Sequence, residues 1–433
     1  MVAAGHGRGG YWSIPDGRGR EAAAGACRGA DRARVRTRRG HGGFVRESAG
    51  RVGLLIALLG CASVPAPVGA APDSLAVVAP GSDVREPAGA APADTARSPG
   101  PGHWFYRGLP YGSESLVNPL RMVLDCGFGI LTFDTRSNRI DDVNYERGWH
   151  RVWADLADPA RAIEVEGWGS WIQREVLPVS TSRQTAQYWP NYTLHLVGGG
   201  MGYTMLSEWY AQRGVAHPHG CAIGTMAVGH LLNEVVENDR SPGPNTDALT
   251  DLYLFDPFSI VLFSYEGVNG FFSRRLHMRY WPGQAALDPR LGTLEDGGQN
   301  YSIKLAIPRS DHWSLFYYFG NHGELGLSYT KANGSAFSFG AGLRAKGLVD
   351  IGGNVLTADL VPSAGFFYDR DGSLLFSVSA ANTSRYRVRV NAYPGLLRVG
   401  GRTAGLFALW NRDDQVVVGL TVPWLPVGAA GRW

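Results

Sequence analysis

The sequence predicts an α+β protein in which an N-terminal helical module is followed by an antiparallel transmembrane β-barrel of about eight strands, and at most ten. Three observations support this prediction: an uncharged apolar run at 52–64, long stretches without acidic or basic residues within 188–275, and period-two alternation within 301–433. Charged residues make up only 18% of the chain, below the roughly 25% of soluble domains. This composition is typical of a protein whose apolar surface contacts a non-aqueous environment.

The N-terminal region 1–70 is predicted to be a targeting segment. The apolar run at 52–64 follows Arg46 and Arg51 and precedes small residues and prolines, which is the order of a secretory signal peptide. The run is shorter than the roughly 20 apolar residues of a spanning helix. Because the stretch before it has no periodicity, we expect a start codon assigned too early, with the real start near Val45 or Val52.

The fate of the signal peptide determines which cysteines remain. Cleavage after Ala70 is one prediction, and lipidation of Cys61 is the alternative, because 58–61 (LLGC) is similar to a lipobox. Cys126 and Cys221 then stay in the exported chain. They could pair, but a free, buried Cys221 is the preferred interpretation, and the absence of C-x-x-C argues against a zinc ribbon.

The region between the signal and the barrel divides by composition. Residues 71–103 are Ala/Pro-rich and are predicted to be a disordered linker. Residues 104–187 are a mixed Trp/Gly-rich segment that includes a helix at 158–177. The first 51 residues hold eleven Arg and four acids, so the rest of the chain is net acidic. Nucleic-acid binding is therefore not predicted.

The region 188–275 is predicted to be a helical module with a polar face. The stretches 188–207 and 214–233 contain no Asp, Glu, Lys or Arg, and their glycines and histidines keep them only marginally hydrophobic. Small residues recur four apart, a spacing that lets helices approach closely. A third helix is expected at 247–255, where Pro257 would break or kink it.

The region 301–433 alternates between large apolar and small polar residues. Leu325 and Leu327, for example, alternate with Glu324 and Ser328. A soluble sandwich also alternates, but a face of Gly, Ser, Thr and Arg is too polar for a dry core. A sheet with one apolar face toward lipid and one polar face toward the interior is typical of a membrane barrel.

Three alternate arginines near the C-terminus are predicted to form a ladder inside the barrel. They are Arg385, Arg387 and Arg389, and Glu324 is the candidate partner. Pairing with interior acids is preferred over an anion-selective lining, because a barrel of eight strands has little open lumen.

The chemistry-bearing residues are concentrated in the helical module. Offsets of four and seven place His230, Glu234 and Glu237 on one helical face. His195 lies on the preceding helix and Asp251 on the next. These five are the candidate catalytic residues, and His230, Glu234 and Glu237 are the candidate metal ligands, because imidazoles and carboxylates bind metals and transfer protons.

Three interpretations of this polar face stay open: a hydrogen-bonded network that locks the helices together, which is preferred, a metal or catalytic site, and a ligand site. The spacing matches neither the H-E-x-x-H of zincins nor the Glu-x-x-His of di-iron bundles. No organic cofactor is predicted, and a metal ion is the alternative.

The run 191–206 (NYTLHLVGGGMGYTML), with 230–238 and 251–257, resembles a family of bacterial exported proteins that contains a domain of unknown function. This resemblance covers about 104–424 and implies a helical module joined to an outer-membrane barrel. The order His, Glu, Asp across three helices is also similar to the VanZ-like membrane module. Neither resemblance implies an activity.

Together these features predict an exported protein of the bacterial outer membrane, with the helical module on the periplasmic side. A structural, binding or minor transport role is expected, with outer-membrane lipid and the barrel-assembly machinery as partners. The alternatives are a membrane-associated enzyme acting on envelope lipid or glycan through the His/Glu/Asp site, and a passive pore. No oligomeric state is predicted.

Overall fold

The computed structural model describes residues 103–177, 189–240, 246–350, 356–399, 402–423 and 425–433. The predicted signal segment, Cys61 and the linker up to 102 lie outside these residues. The described chain is α+β: a helical region is followed by a large, mostly antiparallel sheet.

The helical region contains α-helices of 4 to 20 residues. They are α1 (Pro119–Gly127), α2 (Tyr145–Ala157), α3 (Pro159–Glu166), α4 (Trp168–Trp171), α5 (Gly199–Gln212), α6 (Pro218–Glu237), α7 (Asp247–Thr250), α8 (Asp256–Phe263) and α9 (Glu266–Gly270). Single 3₁₀ turns cover Ser113–Leu116, Gly129–Thr132 and Ile140–Asp142, and π-helical turns cover Ile172–Val176, Trp189–Gly198, Asp251–Phe255 and Phe271–Arg275. None of the described helices combines the length and the hydropathy needed to cross a bilayer.

The helix ends follow from local side chains. Asn118, Asn144 and Asp158 each accept a hydrogen bond from a backbone N–H of the first turn that follows. The helix predicted at 158–177 is interrupted at Gly167, whose φ of 95° takes the chain out of the helical region.

The third predicted helix continues past its expected end at 255, because Pro257 does not break it. Helix α7 passes through the π-helical turn Asp251–Phe255 directly into α8. Pro257 lies in the first turn of α8, where its missing N–H is tolerated. The continuation places Asp251 and Asp256 on one helical segment.

Helix α6 packs against α2 at Gly148. A Cβ at this position would lie 1.9 Å from the backbone oxygen of Val235 on α6. Gly148→Ala is therefore expected to lower the free energy of unfolding by about 1–3 kcal/mol, the usual cost of overpacking. The control is Gly224→Ala on α6, where a Cβ meets no atom within 4 Å and a gain of up to about 1 kcal/mol is expected. Denaturant unfolding measures both, and equal effects would contradict the contact.

The sheet contains thirteen strands in the described residues. They are β1 (Arg279–Tyr280), β2 (Ala286–Asp288), β3 (Thr293–Glu295), β4 (Asn300–Ala306), β5 (Trp313–Gly320), β6 (His322–Thr330), β7 (Ser335–Asp350), β8 (Leu356–Arg370), β9 (Ser373–Ala381), β10 (Val388–Val399), β11 (Arg402–Trp410), β12 (Val416–Thr421) and β13 (Gly428–Arg432).

The order of the strands differs from the predicted barrel. Strands β4 to β13 pair antiparallel with their sequence neighbours, β1 pairs with β4, and β13 pairs in parallel with β2, which pairs with β3. The ladder begins at β1 and ends at β3, so the sheet is not closed into a barrel. The strand number also exceeds the expected ten. Alternation identifies the faces of a strand, but it carries no information about which short segments pair at the edges.

The two faces of the sheet have opposite polarity. Leu325 and Phe339 are 68% and 57% exposed, whereas Ser328 and Ser338 on the same strands are buried and hydrogen-bonded to each other. The buried face packs around Trp281, whose cluster includes Leu116 from the helical region and residues of β5, β8, β9 and β10. The predicted apolar-out pattern is therefore present in the fold.

The three arginines do not form the single interior row that was predicted, because β10 begins only at Val388. Arg389 is buried and lies 3.4 Å from Asp296, which replaces Glu324 as its partner. Arg387 is exposed and pairs with Asp414 at 3.3 Å, and Arg385 donates to the carbonyl oxygen of Phe133.

Both described cysteines are free. Cys126 is buried, and Cys221, which was expected to be buried, is only half-buried. Cys126 lies against the side-chain amide of Gln299 at 2.7 Å.

Candidate functional site

Two histidines and three carboxylates meet between the helices, and we call this set the His/carboxylate centre. His195 comes from the π-helical turn before α5, and His230 and Glu234 come from α6. Asp251 lies at the start of the π-helical turn after α7, and Asp256 is the first residue of α8. All but Asp256 are buried.

His195 lies between two aspartates. Its Nε2 is 3.1 Å from Oδ2 of Asp251, and its Nδ1 is 3.2 Å from Oδ1 of Asp256. The same Asp256 oxygen lies 2.7 Å from Nδ1 of His230, and the two imidazole rings are 5.0 Å apart. Asp256 therefore joins both histidines.

Two groups of three residues have donor atoms that all lie within 4.8 Å of one another. The first group is His195, His230 and Asp256, and the second is His195, Glu234 and Asp251. Imidazole nitrogen and carboxylate oxygen are the ligands of zinc and of similar divalent ions. His195 belongs to both groups.

Several polar atoms of the centre have no hydrogen-bond partner among the described residues. They include Oδ1 of Asp251 and Oε2 of Glu234. The other carboxylate oxygen of Glu234 accepts only a 3.3 Å hydrogen bond from the adjacent Asn233. Buried polar groups are normally satisfied, so these two carboxylate oxygens have room for a further partner.

The charges of the centre shift the pKa values of its members. Burial and the negative charge of Asp247 raise the pKa of both Glu234 and Asp251 well above their usual values. Burial, which opposes ionisation of Asp256, is outweighed by His230 and His195, so the pKa of Asp256 is lowered. Burial likewise opposes the charged form of His230, but Asp256 raises its pKa well above the usual value. Asp256 and His230 are thus an ion pair.

A second layer of acids lies beside the centre. Glu175 hydrogen-bonds with Asp247, and burial together with the Asp247 charge raises the pKa of Glu175 well above its usual value. Burial and the same aspartate raise the pKa of Glu237 to about 8. Burial therefore disfavours the charged form of the acids in this layer.

The structure brings together four of the five residues proposed from the sequence: His195, His230, Glu234 and Asp251. The fifth, Glu237, lies outside both donor groups, although it shares the helix face of His230. Asp256 was not among the predicted site residues, because the third helix was expected to end near 255, with Pro257 breaking or kinking it. Asp-Pro at the start of an apolar run is also typical of the first turn of a helix. This pattern could have placed Asp256 at a helix start, close to Asp251.

Comparisons of the chain with protein-family models, with curated proteins and with solved structures gave no match. The geometry of the centre and the polarity of the sheet therefore carry the functional argument.

Proposed function

We propose that this chain is an exported outer-membrane protein that holds the exposed face of its sheet in lipid and carries a helical module with a structural or binding role. The observation that carries the proposal is the inverted polarity of the sheet.

The apolar residues of the sheet cover its exposed face. They are Leu305, Trp313, Leu315, Leu325, Leu327, Phe337, Phe339, Leu343, Phe366, Leu396, Leu406, Trp410, Val416, Val418 and Leu420. Contiguous apolar patches of more than a few hundred Å² are rare on monomeric soluble proteins and mark membrane or protein contacts. Because the residues spread over strands from β4 to β12, an extended apolar solvent fits them better than one small partner.

We further propose that the sheet wraps into a barrel in the membrane. Unpaired strand edges are costly in hydrocarbon, where no water can satisfy them. Strand β1 pairs with β4 and β2 pairs with β13, and only residues 281–285 separate β1 from β2. One chain segment thus reaches both ends of the ladder, which supports wrapping.

Leu325→Arg tests the lipid contact. Leu325 lies in the middle of β6, and an arginine facing lipid near the bilayer midplane costs about 2–4 kcal/mol. The matched control is Leu291→Arg, at an exposed leucine between β2 and β3, for which an effect within about 0.5 kcal/mol is expected. Denaturant unfolding in detergent or vesicles, and unheated gels of envelope fractions, measure both.

We expect Leu325→Arg to reduce the folded, heat-modifiable form in the outer-membrane fraction, while Leu291→Arg leaves it unchanged. Equal behaviour of the two variants would contradict the lipid contact, since arginine at a water-exposed position is nearly neutral. Wild-type protein recovered from the cytoplasm would contradict the location.

A second candidate function is an enzyme acting on envelope lipid or glycan through the His/carboxylate centre. The exposed apolar residues Leu254, Phe258 and Val261 favour it, because they lie on the helical segment that carries Asp251 and Asp256. Mass spectrometry of envelope lipids and glycans from cells with wild type or Asp251→Asn tests this function. A product that depends on Asp251 would support it, and identical profiles would oppose it.

A further inference from the structure

We propose that the helical module binds one divalent first-row transition-metal ion through Nε2 of His195 and the carboxylates of Asp251 and Glu234. The site does not depend on the lipid contact of the sheet, so either proposal can fail alone. Asp256 and His230 are positioning residues in this arrangement.

The His195 ring has an aspartate on each side. Nδ1 of His195 lies 3.2 Å from Oδ1 of Asp256, and Nε2 lies 3.1 Å from Oδ2 of Asp251. When Nδ1–H donates to Asp256, the lone pair of Nε2 faces the Asp251 oxygen. A lone pair and a carboxylate oxygen repel each other unless a proton or a cation lies between them. Histidine ligands typically donate their other N–H to a carboxylate in this way.

Two buried carboxylates of the centre have unpartnered oxygens. Glu234 is fully buried and Asp251 is 2% exposed, yet one oxygen of each has no hydrogen-bond partner in the described chain. Both carboxylates have donor atoms within 4.8 Å of each other and of His195. Two ligands of a tetrahedral ion with bonds of about 2.1 Å lie roughly 3.4 Å apart, so small side-chain movements would complete the site.

The acids of the centre differ in their partners. Asp256 lies 2.7 Å from Nδ1 of His230, whereas no Lys or Arg of the described chain forms an ion pair with Asp251 or Glu234. A divalent cation bound by both carboxylates forms a neutral site. Among the described residues, Glu234 accepts only the weak hydrogen bond from Asn233, and Asp251 pairs only with His195.

The ligand types select the class of ion. One imidazole and two carboxylates suit Zn²⁺, Fe²⁺, Mn²⁺ or Co²⁺, whereas Ca²⁺ and Mg²⁺ prefer oxygen ligands alone. Three protein ligands also leave a coordination position open for water.

Co²⁺ binding by the full chain tests the proposal. The protein is purified in detergent, stripped with a chelator and titrated with Co²⁺ alone, with visible absorption and elemental analysis as readouts. We expect one Co²⁺ per chain with ligand-field bands, displaced by Zn²⁺ but not by Mg²⁺. In His195→Gln the bands should vanish. In Asp256→Asn the ligand-field bands should persist, but the affinity for Co²⁺ should be about 10–100-fold weaker, as is usual for a residue that orients a ligand.

The matched control is His150→Gln, an exposed histidine on α2, which should bind Co²⁺ like wild type. Unheated gels and circular dichroism select folded variants. X-ray absorption of the Zn²⁺-loaded wild type needs no variant and should show one imidazole among oxygen ligands. The proposal is overturned if wild type does not bind one Co²⁺ per chain, or if a folded His195→Gln variant keeps unchanged ligand-field bands. It is also overturned if the X-ray absorption of the zinc-loaded protein shows no imidazole scattering.

Discussion

Arg121→Met is expected to lower the free energy of unfolding by about 3–5 kcal/mol, because it leaves a buried carboxylate without its partner. Nε of Arg121 on α1 donates to Oδ2 of Asp125 at 2.8 Å, and both side chains are buried. The guanidinium also donates to the carbonyl oxygens of Gly283 and Ala285. Tyr280 donates to the same carboxylate oxygen at 3.0 Å. The ion pair therefore connects the helical region with the segment between β1 and β2.

Denaturant unfolding in detergent measures this cost, with Arg161→Met as the control at an exposed arginine of α3. The double variant Arg121→Met/Asp125→Leu should recover much of the loss, because it removes the unpaired charge together with its partner. The buried, coupled pair would be contradicted if Arg121→Met lowers the free energy of unfolding by less than about 1 kcal/mol. It would also be contradicted if the double variant recovers none of that free energy.

Glu208→Ala is expected to cost about 3 kcal/mol or more, since each orphaned buried N–H costs about 1–3 kcal/mol. The Glu208 carboxylate on α5 accepts hydrogen bonds from the backbone N–H groups of Trp104, Phe105 and Tyr106. It holds the first described segment of the chain against the helix. Glu164→Ala, at an exposed glutamate of α3, is the control, and an equal loss in both variants would contradict this role.

Glu208 also gives stability a defined pH dependence. Burial raises its pKa to about 7, although the three N–H groups oppose the shift. The folded chain therefore binds the proton more tightly than the unfolded chain, whose glutamate has a pKa near 4.5. This stabilising contribution is complete below pH 4.5 and is lost as the pH rises to about 7.

Glu208→Gln cannot titrate, so wild type should lose stability relative to this variant between pH 4.5 and 7. Unfolding midpoints of both proteins across this range measure the difference. A wild-type advantage that grows with pH would contradict the raised pKa.

The sequence by itself determined the class of the fold and the polarity of the sheet. Period-two alternation identified the exposed residues Leu325 and Leu327 and the buried Glu324 and Ser328, because successive side chains of a strand point to opposite faces. The helical period likewise placed His230 and Glu234 on one buried face of α6. These are local properties, so a local pattern can encode them.

Only the tertiary structure decided which strands form the two edges of the sheet and which side chains come into contact. Strands β1 to β3 hold two or three residues each, too few to show a period, yet they form both ends of the ladder. Asp256 entered the His/carboxylate centre because α7 continues through a π-helical turn into α8, which brings it against His195 and His230. Contacts between residues distant in sequence depend on the packing of whole elements, which no local pattern records.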